Sequence, residues 1–152
     1  MMTIELQLEH LVKDIRKRSH HEVSAITDAE ARYRAEAGTE KMQEITRCVG
    51  EGVQRLASRC RRYLDHYPSS VADNAPGEPQ TYVFEFRMSE RRALGKTEPL
   101  TKAMHDFVVD YALAKFYSTV SQSDLSNKHS LEAIETGNQL DAILLEKLPP
   151  TL

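Results

Sequence analysis

Residues 97–120, which read TEPLTKAMHDFVVDYALAKFYSTV, carry the clearest helical pattern in the chain. Their apolar residues recur close to the 3.6-residue period of an α-helix and cover more than half of its circumference. The members of this stripe are Leu100, Met104, Phe107, Val108, Tyr111, Ala114, Phe116, Tyr117 and Val120. Thr97 is expected to cap the helix, and Pro99 falls in its first turn, where proline is tolerated. The segment predicts the central core helix, with Phe107 and Tyr111 largely buried.

Four further segments show helical patterns. They cover residues 3–18, 28–37, 40–66 and a last helix from Ser130 to about Leu148. Thr27 and Glu30 fit a capping box at the start of the second segment. Gly50 and Gly52 either weaken the middle of the third or allow another helix to approach it closely. Residues 121–130 are polar and predict a connection before the last helix.

Residues 81–88, TYVFEFRM, alternate between two faces and predict a half-buried strand. Every second side chain from Tyr82 to Met88 is apolar and points the same way. A single strand leaves its own backbone groups unpaired, so this one needs a partner. Residues 67–80 and 89–96 on either side are predicted loops. The partner is a short strand within one of these loops, or a strand of another subunit, and the sequence does not choose between them.

The bulk composition describes an ordinary globular protein. The chain has 152 residues, a net charge of −3, 40% hydrophobic residues and 28% charged residues. The chain has no strong basic excess, which would indicate nucleic-acid binding, and no strong acidic excess, which would indicate disorder. No apolar run approaches the roughly 18 residues of a membrane span, and the N-terminal segment does not fit a signal peptide. We expect one mainly α domain over residues 1–152, a bundle of four to five helices with a minor β element, folded in the cytoplasm.

The residue types that carry chemistry show no motif. Cys48 and Cys60 lie twelve residues apart in one predicted helix, roughly 18 Å at a 1.5 Å rise per residue and therefore too far for a disulfide. Both are expected to be reduced and structural. The six histidines are scattered without metal-ligand spacing. We therefore predict no catalytic, cofactor-binding or metal-binding residues, and no enzymatic activity.

Three basic clusters remain as candidates for contact with phosphates. They are Lys13, Arg16, Lys17 and Arg18; Arg55, Arg59, Arg61 and Arg62; and Arg87, Arg91, Arg92 and Lys96. Each fits equally the solvated face of an amphipathic element or a set of salt bridges between subunits. The clusters lack the interleaved aromatic residues of single-strand binders. Nucleic acid is therefore a possible partner that the sequence does not favour.

Two parts of the chain carry a resemblance to a known class of proteins. They are KDIRKRSHHEV…KMQEITRCVGEGVQRLASRCRRYL, within residues 13–64, and YVFEFRMSERRALGKTEPLTKAMHDFVVDYALAKFY, residues 82–117. Their order of helix, long helix with a basic end, aromatic strand and helix resembles small structural proteins of tailed phages and prophages of Bacteroides-type bacteria. These include head–tail connector (adaptor) and completion proteins. The resemblance implies a protein without catalytic residues that forms rings through its subunit interfaces.

The predicted function is that of a non-enzymatic virion-assembly protein that acts by homo-oligomerisation, with other virion proteins as further partners and no membrane. One alternative is a DNA-binding or accessory protein of a mobile element, and another is a small enzyme with a pocket in the helical bundle. The candidate interface is the segment 81–96. Its members are Tyr82, Phe84, Phe86, Arg87, Glu90, Arg91, Arg92 and Lys96. A small intramolecular hairpin in this segment is the competing interpretation.

Overall fold

A computed structural model describes residues 2–65, 81–89 and 93–145 of the chain. Within these ranges the protein has five α-helices and one small sheet, so the prediction of a mainly α bundle with a minor β element is confirmed. The strands are β1, Met2–Gln7, and β2, Thr81–Phe86. The helices are α1, Leu8–Val23; α2, Ala29–Ala35; α3, Met42–Cys60; α4, Thr97–Thr119; and α5, Ser123–Leu145.

The central helix of the molecule is α4, as its apolar stripe predicts. It packs against α3 and α5 and also contacts α1 and β1. Leu100, Met104 and Val108 are fully buried, and Phe107 is almost so. Tyr111 is only half-buried because it borders a surface cleft. The backbone cap of α4 is one residue earlier than predicted, at Lys96.

The partner of β2 is the first strand of the chain. β1 and β2 run antiparallel, with Met2 opposite Phe86 and Gln7 opposite Thr81. Both predicted sources of the partner, the neighbouring loops and another subunit, are therefore wrong for this edge. On the opposite edge, the amide of Arg87 donates to the carbonyl of Tyr63 at 2.8 Å. Both edges of β2 are thus paired, at least in part, within the same chain.

The helix predicted over residues 3–18 begins too early. Residues 2–7 form a strand whose side chains alternate between buried and exposed, and α1 then continues without a loop to Val23. Ile4 fits a helical stripe with Leu8 and Leu11, but it also alternates with its immediate neighbours. Residues 2–7 follow the alternating pattern because, as a strand, they can hydrogen-bond to the backbone of β2 and bury Ile4 in the core.

Two other helix boundaries differ from the prediction. Asp28, and not Thr27, caps α2, because its carboxylate accepts a hydrogen bond from the amide of Glu30 at 3.1 Å. The last helix starts at Ser123, inside the segment 121–130 that was predicted as a connection. Its polar first turns face solvent, so they carry little apolar signal. The predicted end near Leu148 lies outside the described residues.

Gly52 marks the closest approach of α3 to α4. A Cβ atom at this position would lie 3.2 Å from the carbonyl oxygen of Val108, whereas one at Gly50 would meet nothing within 4 Å. Gly52 therefore fits the prediction of a close helix contact, while Gly50 faces open space. Cys48 and Cys60 lie in α3 as buried free thiols, which confirms that they share one helix.

Candidate functional site

A buried charge centre lies where α1, α4 and α5 meet. Its core consists of Glu22, Asp110 and His129, and His129 is only 2% exposed and Asp110 only 4% exposed. The Nδ1 atom of His129 lies 3.0 Å from Oδ1 of Asp110, and its Nε2 atom lies 2.8 Å from both carboxylate oxygens of Glu22. Because both ring nitrogens face acceptors, each carries a proton and the ring is a cation.

The pKa values of the charge centre follow from this arrangement. Burial alone would lower the pKa of His129, but its hydrogen bonds to Asp110 and Glu22, together with their charges, raise it to about 9. Burial would raise the pKa of Glu22, but hydrogen bonds from His129 and Lys128 lower it to about 2. The direct charged contacts outweigh desolvation, so both groups are ionised at neutral pH.

Neighbouring side chains complete the charge centre. The hydroxyl of Tyr117 donates to Glu22 at 3.1 Å, and its ring stacks on His129 with 5.8 Å between the ring centres. Lys128 donates to the second oxygen of Glu22 at 2.8 Å. On the other side, the hydroxyl of Thr136 lies 3.4 Å from Asp110. Each carboxylate of the core therefore has more than one polar partner, as buried charges require.

Arg18 extends the charge centre into a second group of residues. Its guanidinium lies 3.5 Å from Asp110, 3.3 Å from Asp106 and 3.2 Å from Asp14. The Nε2 atom of His105 lies 2.9 Å from the same Asp14 carboxylate. The result is an alternating series of positive and negative groups that ties α1 to α4 and α5.

Two triads within this network have the spacing of metal ligands. They are Asp110, His129 and Glu132, and Asp14, His105 and Asp106, and in each the candidate ligand atoms lie within 4.8 Å of one another. A metal in the first triad would need a lone pair on Nδ1 of His129, the atom that donates its proton to Asp110. Arg18 already lies 3.5 Å from the same Asp110 oxygen. The geometry therefore favours a proton over a metal ion in this triad.

The charge centre suits a structural role better than a reactive one. Its acidic and basic groups neutralise one another at short range, and its imidazolium has no lone pair with which to act as a base. Ion pairs of this kind are costly to break, because each leaves an unpaired buried charge behind. The charge centre thus fixes the position of α1 on α4 and α5.

A second candidate site is an open cleft of about 380 Å³ between α3, α4 and α5. It is bordered by the cations Arg55, Arg59 and Lys115, and its floor includes Phe107 and Tyr111. The Arg59 guanidinium lies 5.9 Å from the centre of the Phe107 ring, and the Lys115 ammonium lies 5.6 Å from that of Tyr111. The cleft therefore combines positive charge with an aromatic surface.

The aromatic members of the candidate interface lie inside the molecule. Tyr82, Phe84 and Phe86 are buried in the core of their own chain. Their side chains are therefore not available for contact between subunits. The competing interpretation is right that the strand is paired within its own chain, but the main partner, β1, comes from the start of the chain and not from an adjoining hairpin.

The charged members of the candidate interface divide into three groups. Arg87 is exposed, whereas Lys96 is buried. Glu90, Arg91 and Arg92 lie outside the described residues. An interface role for segment 81–96 stays a prediction. Among the described residues, the parts of the segment that could still contact another subunit are the outer side of β2 and the turn before α4.

The basic clusters have separate structural roles. From the first cluster, Arg18 turns inward to the charge centre, and Arg16 donates to the hydroxyl of Thr39 at 2.8 Å. From the second, Arg55 and Arg59 border the cleft, and Arg59 forms an ion pair with Asp141 at 2.9 Å. These contacts account for several arginines that the sequence offered as phosphate ligands.

Comparison with protein-family models, curated proteins and solved structures finds no match to this chain. Within the described ranges, no helix combines the length and apolar character that crossing a membrane requires.

Proposed function

We propose that this chain is a non-enzymatic virion-assembly protein of a phage or prophage, of the head–tail connector type. It binds further copies of itself and other virion proteins. The observation that carries the proposal is an apolar seam on the outer face of α5, formed by Leu131, Ile134 and Leu145. These residues are 68%, 59% and 58% exposed, although α5 buries other side chains against the core.

The seam has the shape of a helix contact. At about 100° per residue its three apolar members fall within an arc of about 60°, over a length of roughly 21 Å. Asn138, which is also exposed, lies in the same arc, and the exposed Ala142 lies about 20° beyond its edge. A stripe this narrow is typical of a surface that packs against one partner element. Burying each large apolar side chain there would contribute about 1.5–3 kcal/mol.

For a connector protein, the partner that covers the seam is a second copy of this chain. Val83 and Leu94, two further exposed apolar side chains, lie in the segment 81–96. Contact between the seam of one copy and this different surface of the next is heterologous, and a heterologous contact that closes on itself builds a ring. Contact of the seam with itself would instead stop at a dimer.

The mass of the protein in solution tests the proposal. By light scattering and native mass spectrometry we expect a ring of six or more copies. Replacement Leu131→Glu places a charge in the seam and should reduce the assembly to smaller species, because burying an unpaired carboxylate is costly. Tyr33→Glu is the matched control, since Tyr33 is a large side chain on α2 that is 59% exposed.

Two outcomes would count against the proposal. One is a wild-type protein that stays monomeric at high concentration, and the other is an equal effect of Leu131→Glu and Tyr33→Glu on the mass. A monomer or dimer that binds duplex DNA with an affinity falling steeply with salt would instead support the alternative of a DNA-binding protein.

A further inference from the structure

We propose that the cleft between α3, α4 and α5 binds a small organic phosphate. The ligand class is a phosphate monoester attached to a planar ring, with nucleoside monophosphates as the representative case. This inference goes beyond the assembly function and does not depend on it, because the cleft is a property of the single chain.

The charge of the cleft matches a phosphate dianion. Arg55, Arg59 and Lys115 border it, and none of the described residues that line it is acidic. Asp141, which is not part of the lining, neutralises one charge, since its carboxylate accepts from the Arg59 guanidinium at 3.2 and 2.9 Å. Two positive charges remain, and a phosphate monoester carries about −1.5 to −2 at pH 7. A carboxylate would leave one of them unmatched.

Hydroxyl groups from both α4 and α5 line the cleft. Ser118, Ser126 and Ser130 are part of the lining. The hydroxyl of Ser126 donates to the carbonyl of Ala114 at 2.8 Å, so it is oriented by the protein. Ser118 and Ser130 are exposed and can donate to phosphate oxygens. Phosphate groups in proteins are commonly held by this combination of arginine, lysine and hydroxyl donors.

The floor of the cleft suits a planar ring. Its accessible aromatic surface is mainly the half-buried ring of Tyr111, which packs nearly parallel to the buried ring of Phe107, with 6.2 Å between the ring centres and 23° between the planes. Ala133 extends this apolar surface on the α5 side, where the cleft ends at Ile134 of the seam. The volume of about 380 Å³ lies at the small end of the range of about 300–1,000 Å³ found for ligand pockets. The cleft can therefore hold a small ligand with an apolar and an anionic part.

Isothermal titration calorimetry with AMP tests the inference. We expect saturable binding of one AMP per chain. Adenosine lacks the charge and inorganic phosphate lacks the ring, so each should bind at least about tenfold more weakly than AMP, which corresponds to about 1.4 kcal/mol. Absence of saturation by AMP at millimolar concentration, or equal binding of adenosine and AMP, would overturn the proposal.

Matched charge variants assign the binding to the cleft. Arg55→Gln and Lys115→Gln each remove one positive charge from its border and should weaken AMP binding by about tenfold. Arg61→Gln removes the same charge from an exposed position outside the cleft and should change the affinity by less than about twofold. Thermal melting establishes that each variant is folded. Equal effects of Arg55→Gln and Arg61→Gln would show general charge attraction and would refute the site.

Discussion

At the scale of single residues, His129 links the fold to pH. Its pKa is about 9 in the folded protein, against an ordinary value of 6.5. The folded state therefore holds this proton more tightly than the unfolded state does. The resulting stabilisation is fully present below pH 6.5 and is lost as the pH rises through 9, and it is on the order of 3 kcal/mol.

Urea unfolding between pH 6 and 9.5 measures this contribution. We expect the free energy of unfolding of the wild type to fall over that range and the fall to be much smaller in His129→Gln. His10→Gln, at an exposed position on α1, is the control and should follow the wild type. Parallel curves for wild type and His129→Gln would mean that the buried ring is not charged.

Glu22 makes the stability of the fold depend on pH in the acid range. Its pKa is about 2 in the folded protein, below the ordinary 4.5. Its contribution is therefore present above pH 4.5 and is lost as the pH falls toward 2. Taken together, Glu22 and His129 predict that the charge centre contributes most to the free energy of unfolding between about pH 4.5 and 6.5.

The two cysteines are expected to be chemically silent in the folded protein. Burial raises the pKa of the Cys48 thiol to about 11 and that of Cys60 to about 12. Since the thiolate is the reactive form, neither should react with a disulfide reagent at pH 8 until the protein unfolds. Labelling with and without denaturant, followed by mass spectrometry, checks this. Rapid labelling of either residue in native buffer would contradict it.

At the scale of elements, α3 offers a matched pair of glycines. Alanine is favoured over glycine in a helix by about 0.8–1 kcal/mol. Gly50→Ala should realise that gain, because its Cβ would meet nothing within 4 Å. Gly52→Ala should lose stability relative to the wild type, because its Cβ would lie 3.2 Å from the backbone oxygen of Val108 and α4 would have to shift to make room.

Thermal melting of these two variants and the wild type is the measurement. We expect the order Gly50→Ala, wild type, Gly52→Ala from highest to lowest melting temperature. A gain of equal size at both positions would show that α3 and α4 can separate slightly at no cost.

The sequence predicts α4 well because its pattern is local and long. Its stripe from Leu100 to Phe116 depends only on residues within the helix. The identity of β1 depends instead on β2, whose residues lie about eighty positions away, so Ile4 and Leu6 fit both a helix and a strand. The start of α5 is not predicted either, because its first turns face solvent and so contain few apolar residues to show a helical period.

The charge centre was not predicted because it is assembled from distant parts of the chain. Glu22 and His129 are 107 residues apart, and Asp110 and His129 are 19 apart. Spacing rules address only residues on one element. The local signals of the charge centre were pairs one helical turn apart, such as His129 with Glu132 and Asp14 with Arg18, which are common by chance on helices. The cleft is equally non-local, because three helices contribute to it.

At the scale of the whole molecule, β1 joins the start of the chain to the core. Met2, Ile4 and Leu6 are all buried. We expect Ile4→Ala to cost about 2–5 kcal/mol, which is a large part of the stability of a typical domain. Glu5→Ala, at the exposed position next to it, should change the stability by less than about 0.5 kcal/mol.

Chemical denaturation of the two variants compares these costs directly. A small loss for Ile4→Ala would mean that the first strand can detach while the helices stay folded. In that case hydrogen exchange should show early opening of the β1 amides.

The long separation between Glu22 and His129 has a consequence for synthesis of the protein. The ribosome adds about 5–20 residues per second, so His129 follows Glu22 after roughly 5–20 s. For most of this interval the nascent chain lacks α4 and α5, so Glu22 is without His129 and the apolar face of α1 is uncovered. We expect α1 to stay exposed to aggregation and proteolysis during synthesis until α5 has been made.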